Sequence, residues 1–108
     1  MATESDFYRH VLDCLSHIDG VTSARMMGEY CVYIRGKIFG DICDNRLLVK
    51  RTAAAERLLP DCSLEYPYQG SKQLMRVVRA RDLENRELMS ELLNGMYDEL
   101  PEPRKKKK

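Results

Sequence analysis

The sequence predicts an α+β fold: a two-layer sandwich in the order α-β(3)-α-β(1-2)-α, with a mainly antiparallel sheet. Three observations predict it. Apolar residues recur at helical spacing near both ends of the chain. Between them they alternate with a period of two. The alternating runs are joined by turns so short that consecutive strands must pair as hairpins.

The first helix is expected over Thr3 to Ile18. Phe7, Val11, Leu15 and Ile18 make one stripe, widened by Leu12. Thr3 or Ser5 can cap it, Asp6 complements the helix dipole, and Gly20 supplies a stop. From Val21 to Arg51 the period is two. Tyr30, Val32 and Ile34 alternate with Glu29, Cys31 and Tyr33; after Arg35-Gly36, Ile38, Gly40 and Ile42 alternate with Phe39, Asp41 and Cys43. Asp44-Asn45 is a second turn of residues that tolerate positive φ, and Leu47 and Val49 alternate with Leu48 and Lys50. A short helix follows at Ala53 to Leu59, capped by Thr52 and ended by Pro60.

Asp61 to Ser71 reads as an irregular connection with Tyr66 and Tyr68 as aromatic tips. Gln73 to Arg79 reads as a strand, Met75 and Val77 facing one way, Leu74 and Val78 the other. Asn85 opens a last helix with Leu88, Leu92, Met96 and Leu100 at four-residue spacing, and Pro101 and Pro103 end it. Residues 1–100 are expected to form a single domain, and residues 101–108 a disordered basic tail.

Composition narrows the function. The chain is 44% apolar and 32% charged, ordinary for a globular protein. No apolar run is long enough to span a bilayer, and the acidic, polar start lacks the features of a signal peptide, so a cytoplasmic location and no membrane association are expected. The formal charge of +1 conceals a split: residues 1–103 carry 13 basic against 17 acidic side chains, and Arg104, Lys105, Lys106, Lys107 and Lys108 form an all-basic end. Those five cations are the candidate nucleic-acid contact, weak and non-specific, because no aromatic residue among them would stack on a base.

Cys14, Cys31, Cys43 and Cys62 contain no closely spaced pair, so reduced, buried thiols are expected, with no metal and no cofactor. His10 and His17 sit on the first helix, away from Cys31, Cys43 and Cys62, and no phosphate-cradling glycine motif occurs. The expectation is a protein that is not an enzyme.

By alternation, the sheet face away from the helices carries Cys31, Tyr33, Phe39, Cys43 and Leu48, less polar than a solvated face. Either the last helix or the loop around Tyr66 covers it, or a partner does. Two expectations follow for that partner: another protein, or a second copy of the chain in a homodimer through the open sheet face.

The stretch Arg25 to Lys50, with Arg25, Met27, Gly28, Tyr30, Gly36, Asp44, Leu47 and Lys50 at its key positions, resembles the TfoX N-terminal domain family (TfoX/Sxy-like proteins). The resemblance continues through Tyr66-Pro-Tyr-Gln-Gly70 and Met96 to Pro101. It implies the same α–β(3)–α–β–α sandwich, in some members with one more strand in the second half, for which Leu64 to Tyr68, read above as a connection, is the available place. It also implies regulation of competence or transcription through protein partners, and carries no catalytic residues. The family's founding regulators carry a second, C-terminal domain, and the expectation here is a single-domain member without it. The candidate partner-binding residues are Arg25, Met27, Gly28, Glu29, Tyr30, Tyr33 and Phe39. Within Arg25 to Tyr30, Gly28 permits close approach or a strand bend, and Arg25 and Glu29 either hold a partner's charges or pair internally.

Overall fold

The computed structural model describes residues 5–26 and 29–101. The element order is α1 (Ser5–Cys14), β1 (Val21–Met26), β2 (Glu29–Ile34), β3 (Lys37–Cys43), β4 (Arg46–Val49), α2 (Ala53–Leu58), β5 (Leu64–Glu65), β6 (Met75–Val78), α3 (Ala80–Leu83) and α4 (Arg86–Tyr97). The strands form one antiparallel sheet in the order β1-β2-β3-β4-β6-β5. This is the expected α+β class. The meander has four strands, one more than the alternation separated, and the short β5 lies inside the segment where the family resemblance implied an extra strand.

Both hairpin turns have the chemistry read from the sequence. Arg35 and Gly36 have φ of 47° and 88°, and Asp44 and Asn45 have 53° and 57°. Two consecutive positive values produce the tight turn whose twist matches the flanking strands. α2 is capped twice. Thr52 Oγ1 accepts from the Ala55 N–H, and the Glu99 carboxylate, arriving from beyond α4, accepts from the N–H groups of Ala53 (2.7 Å) and Ala54 (3.0 Å).

The main core lies between the sheet and the helices. Val11, Leu15 and Ile18 meet Val32, Ile34, Ile42, Leu47 and Val49 from the strands and Met89, Leu92, Leu93 and Met96 from α4. α1 is fixed over the first two strands by Tyr8, whose ring stacks on Tyr30 with centroids 3.7 Å apart and whose hydroxyl lies 2.6 Å from Ser23 Oγ. Lys37 reaches the same side, its Nζ donating to Tyr97 O at 2.9 Å over the Tyr97 ring.

Alternation places Phe39 on the open face, but it is fully buried in the helix-side core. The cause is a β-bulge. Val32 pairs with Gly40 and Tyr33 pairs with Ile38, so Phe39 is an extra residue on β3 and the inside–outside parity switches there. Phe39 turns inward, and Ile38, opposite Tyr33, turns to the second face. Phe39 is therefore not a partner-binding residue.

Candidate functional site

The second face of the sheet is covered in part by the chain itself. Cys43, Leu48 and Met75 form a small separate cluster with Val77 against it, all four buried or half-buried. The segment after β5 crosses above. Arg46 on β4 holds it down: Nη1 donates to Glu65 Oε1 (2.8 Å) and Tyr66 O (3.2 Å), and Nη2 donates to Pro67 O (3.0 Å). Pro67 is buried, while Tyr66 and Tyr68 project outward.

This crossing separates two kinds of hollow. One, of about 450 Å³, is lined by Met26, Glu29, Tyr30, Cys31, Asp41, Cys43 and Tyr68. At its rim Met26 is 52% exposed and Tyr68 59%. The other, of about 710 Å³, lies where the chain leaves β4 and enters β6, and is polar: Lys50, Arg51, Lys72 and Arg76 against Glu56 and Glu99. Much of that polarity is spent inside the fold. Glu99 caps α2, and Arg76 donates to the carbonyls of Leu59 (3.0 Å) and Cys62 (3.4 Å).

The floor of the apolar hollow carries two thiols and a carboxyl. Cys31 and Asp41 are directly paired across β2 and β3. Burial pushes the Cys31 thiol from 9.0 up to about 11, with Asp41 adding to the effect, and pushes Cys43 up to about 12. Burial also raises the Asp41 carboxyl, opposed by its hydrogen bond to Cys31 and by Lys50. A nucleophilic cysteine needs the reverse shift, since only the thiolate attacks. These groups can line an apolar surface, but they are not poised for covalent chemistry.

The other cysteine and histidine contacts are no better arranged. His10 Nε2 lies 3.6 Å from Cys14 Sγ and 3.5 Å from Glu84 Oε2. Nδ1 is farther from the thiol, at 4.0 Å, so the nitrogen nearer Cys14 is also the one facing Glu84, whereas a relay needs the base and its orienting partner on opposite nitrogens. Burial first, then Glu84 and Asp13, raise the Cys14 thiol. Among the described residues no group of three His, Cys, Asp or Glu side chains could hold a metal ion, and no helix is long and apolar enough to cross a membrane.

A labelling prediction follows. At pH 8, Cys31 should alkylate roughly a hundredfold more slowly than an unshifted thiol, because two pH units separate the two ionisations. Cys43 should be slower still. Quantitative iodoacetamide labelling read by mass spectrometry checks this; rapid modification of either in the folded protein would contradict it. The sign for stability is also fixed. The unfolded chain ionises these thiols first as pH rises, so their contribution to stability is present below about pH 9 and lost above it.

The candidate residues read from the sequence are only partly brought together. Glu29 lies at the apolar hollow, half-buried, its Oε1 accepting from the Asp44 N–H at 3.4 Å. Tyr33 is half-buried on the same face, opposite Ile38. Tyr30 turns its ring to α1, and Arg25 is exposed on β1 opposite Tyr30. Met27, Gly28 and the tail cations Arg104 to Lys108 lie outside the described residues. The residues that complete the hollow, Met26, Asp41 and Tyr68, were not among the candidates. Tyr68 had a signal, as an exposed aromatic between Pro67 and Gly70, but nothing local showed where it would land.

Comparison with known proteins points to one family. The TfoX N-terminal domain profile matches residues 13–99. An "uncharacterized 12.7 kDa protein in trpE 5'region" of Spirochaeta aurantia is 32% identical over 107 residues, covering 99% of this chain and 91% of that protein. No solved structure matches the chain.

Proposed function

The chain belongs to the TfoX N-terminal domain family, and on that premise we propose that it is a non-enzymatic regulatory module that acts by binding a protein partner on the second face of its sheet. The observation that carries this reading is the apolar hollow beside Tyr68. Two large residues, Met26 and Tyr68, stand exposed at its rim above a floor of neutral thiols. Exposed aromatic and methionine side chains around a concave apolar surface are typical anchors of protein interfaces. The competence regulators of the family, which work with a transcription activator, set the kind of role to expect.

The test is affinity capture with the wild-type chain and with Met26→Asp and Tyr68→Asp, after nuclease treatment. Both substitutions fall on exposed side chains, so the fold should persist. The reading expects a defined protein that the wild type retains and both variants lose. Equal retention by the variants would move the interface off this face.

A second reading has its own observation, the five adjacent cations Arg104 to Lys108 in an otherwise acidic chain. It makes the protein an auxiliary nucleic-acid binder through the tail. Deleting residues 104–108 should then abolish DNA or RNA binding, and affinity for different sequences should fall together as salt rises. Binding that survives the deletion, or discriminates strongly between sequences, would place it in the body.

A further inference from the structure

The two edges of the sheet are unlike. β5, at one edge, has two residues, too few to template another strand. β1, at the other, has six, and its pairing with β2 runs without a register shift from Val21↔Ile34 to Met26↔Glu29. It contains no proline and one charged residue, Arg25, and Thr22, Ala24, Arg25 and Met26 are exposed. Among the described residues, nothing pairs with its outer side. Proteins ordinarily blunt an edge of this kind with bulges, prolines or several charges.

The phase of the β1 ladder is fixed by one bond. The Arg35 N–H donates to Gly20 O at 2.8 Å, continuing the β1–β2 register by one step. In an antiparallel pair the bonded residues alternate. Thr22, Ala24 and Met26 therefore exchange bonds with β2, and the N–H and C=O groups of Val21, Ser23 and Arg25 point outward.

We propose that these outward groups bind a second copy of the chain, β1 pairing antiparallel with β1 about a two-fold axis at Ser23. That register sets Ser23 against Ser23, Val21 against Arg25 and Arg25 against Val21. Each outward N–H and C=O then meets a partner within the strand. Moving the axis to Thr22 or Ala24 pushes Arg25 or Val21 past the end of the opposing strand. The Ser23 axis also keeps the two Arg25 side chains off each other, where like charges directly opposite would repel. Thr22 and Ala24 become neighbours on the second face, both small enough to sit together. A contact in which the same strand serves both partners closes as a dimer and leaves no further edge of that length. This inference does not rest on the apolar hollow, and either can fail without the other.

The test uses prolines that spare the β1–β2 ladder. A proline at Ser23 removes an N–H that points away from β2, so the intramolecular bonds remain. Ser23→Ala controls for the lost contact with the Tyr8 hydroxyl. Sedimentation velocity over a range of concentrations should show dimers for wild type and Ser23→Ala. Ser23→Pro should weaken self-association roughly tenfold or more, since both bonds of the central pair are lost, while unfolding near the temperature of Ser23→Ala. If Ser23→Pro does not fold, Arg25→Pro removes another outward N–H and should give the same weakening. Hydrogen exchange at Val21, Ser23 and Arg25 should accelerate on dilution of the wild type. A wild type that remains monomeric at millimolar concentration, or a folded proline variant that dimerises as tightly as wild type, overturns the proposal.

Discussion

Phe39→Asp should unfold the protein. The ring is fully buried in the helix-side core. Truncating a buried phenylalanine alone costs about 3–5 kcal/mol, and a carboxylate in the same place adds the penalty of an unpaired buried charge. Against a total stability of about 5–15 kcal/mol, typical of a native protein, little would remain. Circular dichroism should show loss of the cooperative thermal transition at neutral pH. The opposite result is equally informative. If Phe39→Asp unfolds at the wild-type temperature, the side chain faces outward, and the bulge that turns it inward does not exist.

Gly40→Ala should be the next most damaging change, at the close approach of β3 to β4. Gly40 pairs with Val32 on one side and Val49 on the other. A Cβ built there would lie 2.1 Å from the Leu48 carbonyl oxygen and 3.1 Å from Val49 Cα. The obstacle is backbone in the middle of the sheet, which cannot swing aside as a side-chain tip would. Overpacking typically costs about 1–3 kcal/mol, and a backbone collision sits at or above the top of that range. The expected fall in melting temperature is more than about 10 °C, since each kcal/mol shifts a domain of this size by several degrees. A fall of less than about 2 °C would mean that the strands have room to separate and that the close approach at Gly40 is not required.

These two residues also mark where the sequence stops being readable. Period two is a local signal, and it assigned Val32, Ile34, Ile42, Leu47 and Val49 to the helix side correctly. It failed at Ile38 and Phe39 because both are apolar, so alternation carries no sign of which parity is inward. Only the cross-strand register reveals the extra residue. The hairpin turns were legible because positive φ restricts residue type, and Gly36, Asp44 and Asn45 are the types that accept it. α4 was legible because Leu88, Leu92 and Met96 repeat at four residues over three turns. β1 was not separated as a strand, since its edge position leaves most of its side chains in solvent and Val-Thr-Ser-Ala-Arg-Met shows no apolar alternation. The four-residue α3 is too short to leave a periodic trace.

The candidate site was legible in the same uneven way. Cys31, Cys43 and Leu48 were placed on the second face, and the Tyr66 loop was one of the covers anticipated for it. That the loop crosses only part of the face depends on Arg46 holding the carbonyls of Tyr66 and Pro67, a contact between residues twenty or more apart. No local pattern encodes such a contact. The hollow that results joins Met26, on the edge strand β1, to Tyr68, in the connection between β5 and β6.

If a protein partner occupies this hollow, a hydrogen-exchange footprint of the captured complex will fall on its lining. Amides of Cys31, Asp41, Cys43 and Tyr68, with those flanking them, should exchange more slowly in the complex than in the free protein, while the exposed face of α4 around Glu91 and Asn94 remains unchanged. Protection centred on α4, with Tyr68 and its neighbours unaltered, would place the partner on the helix layer instead.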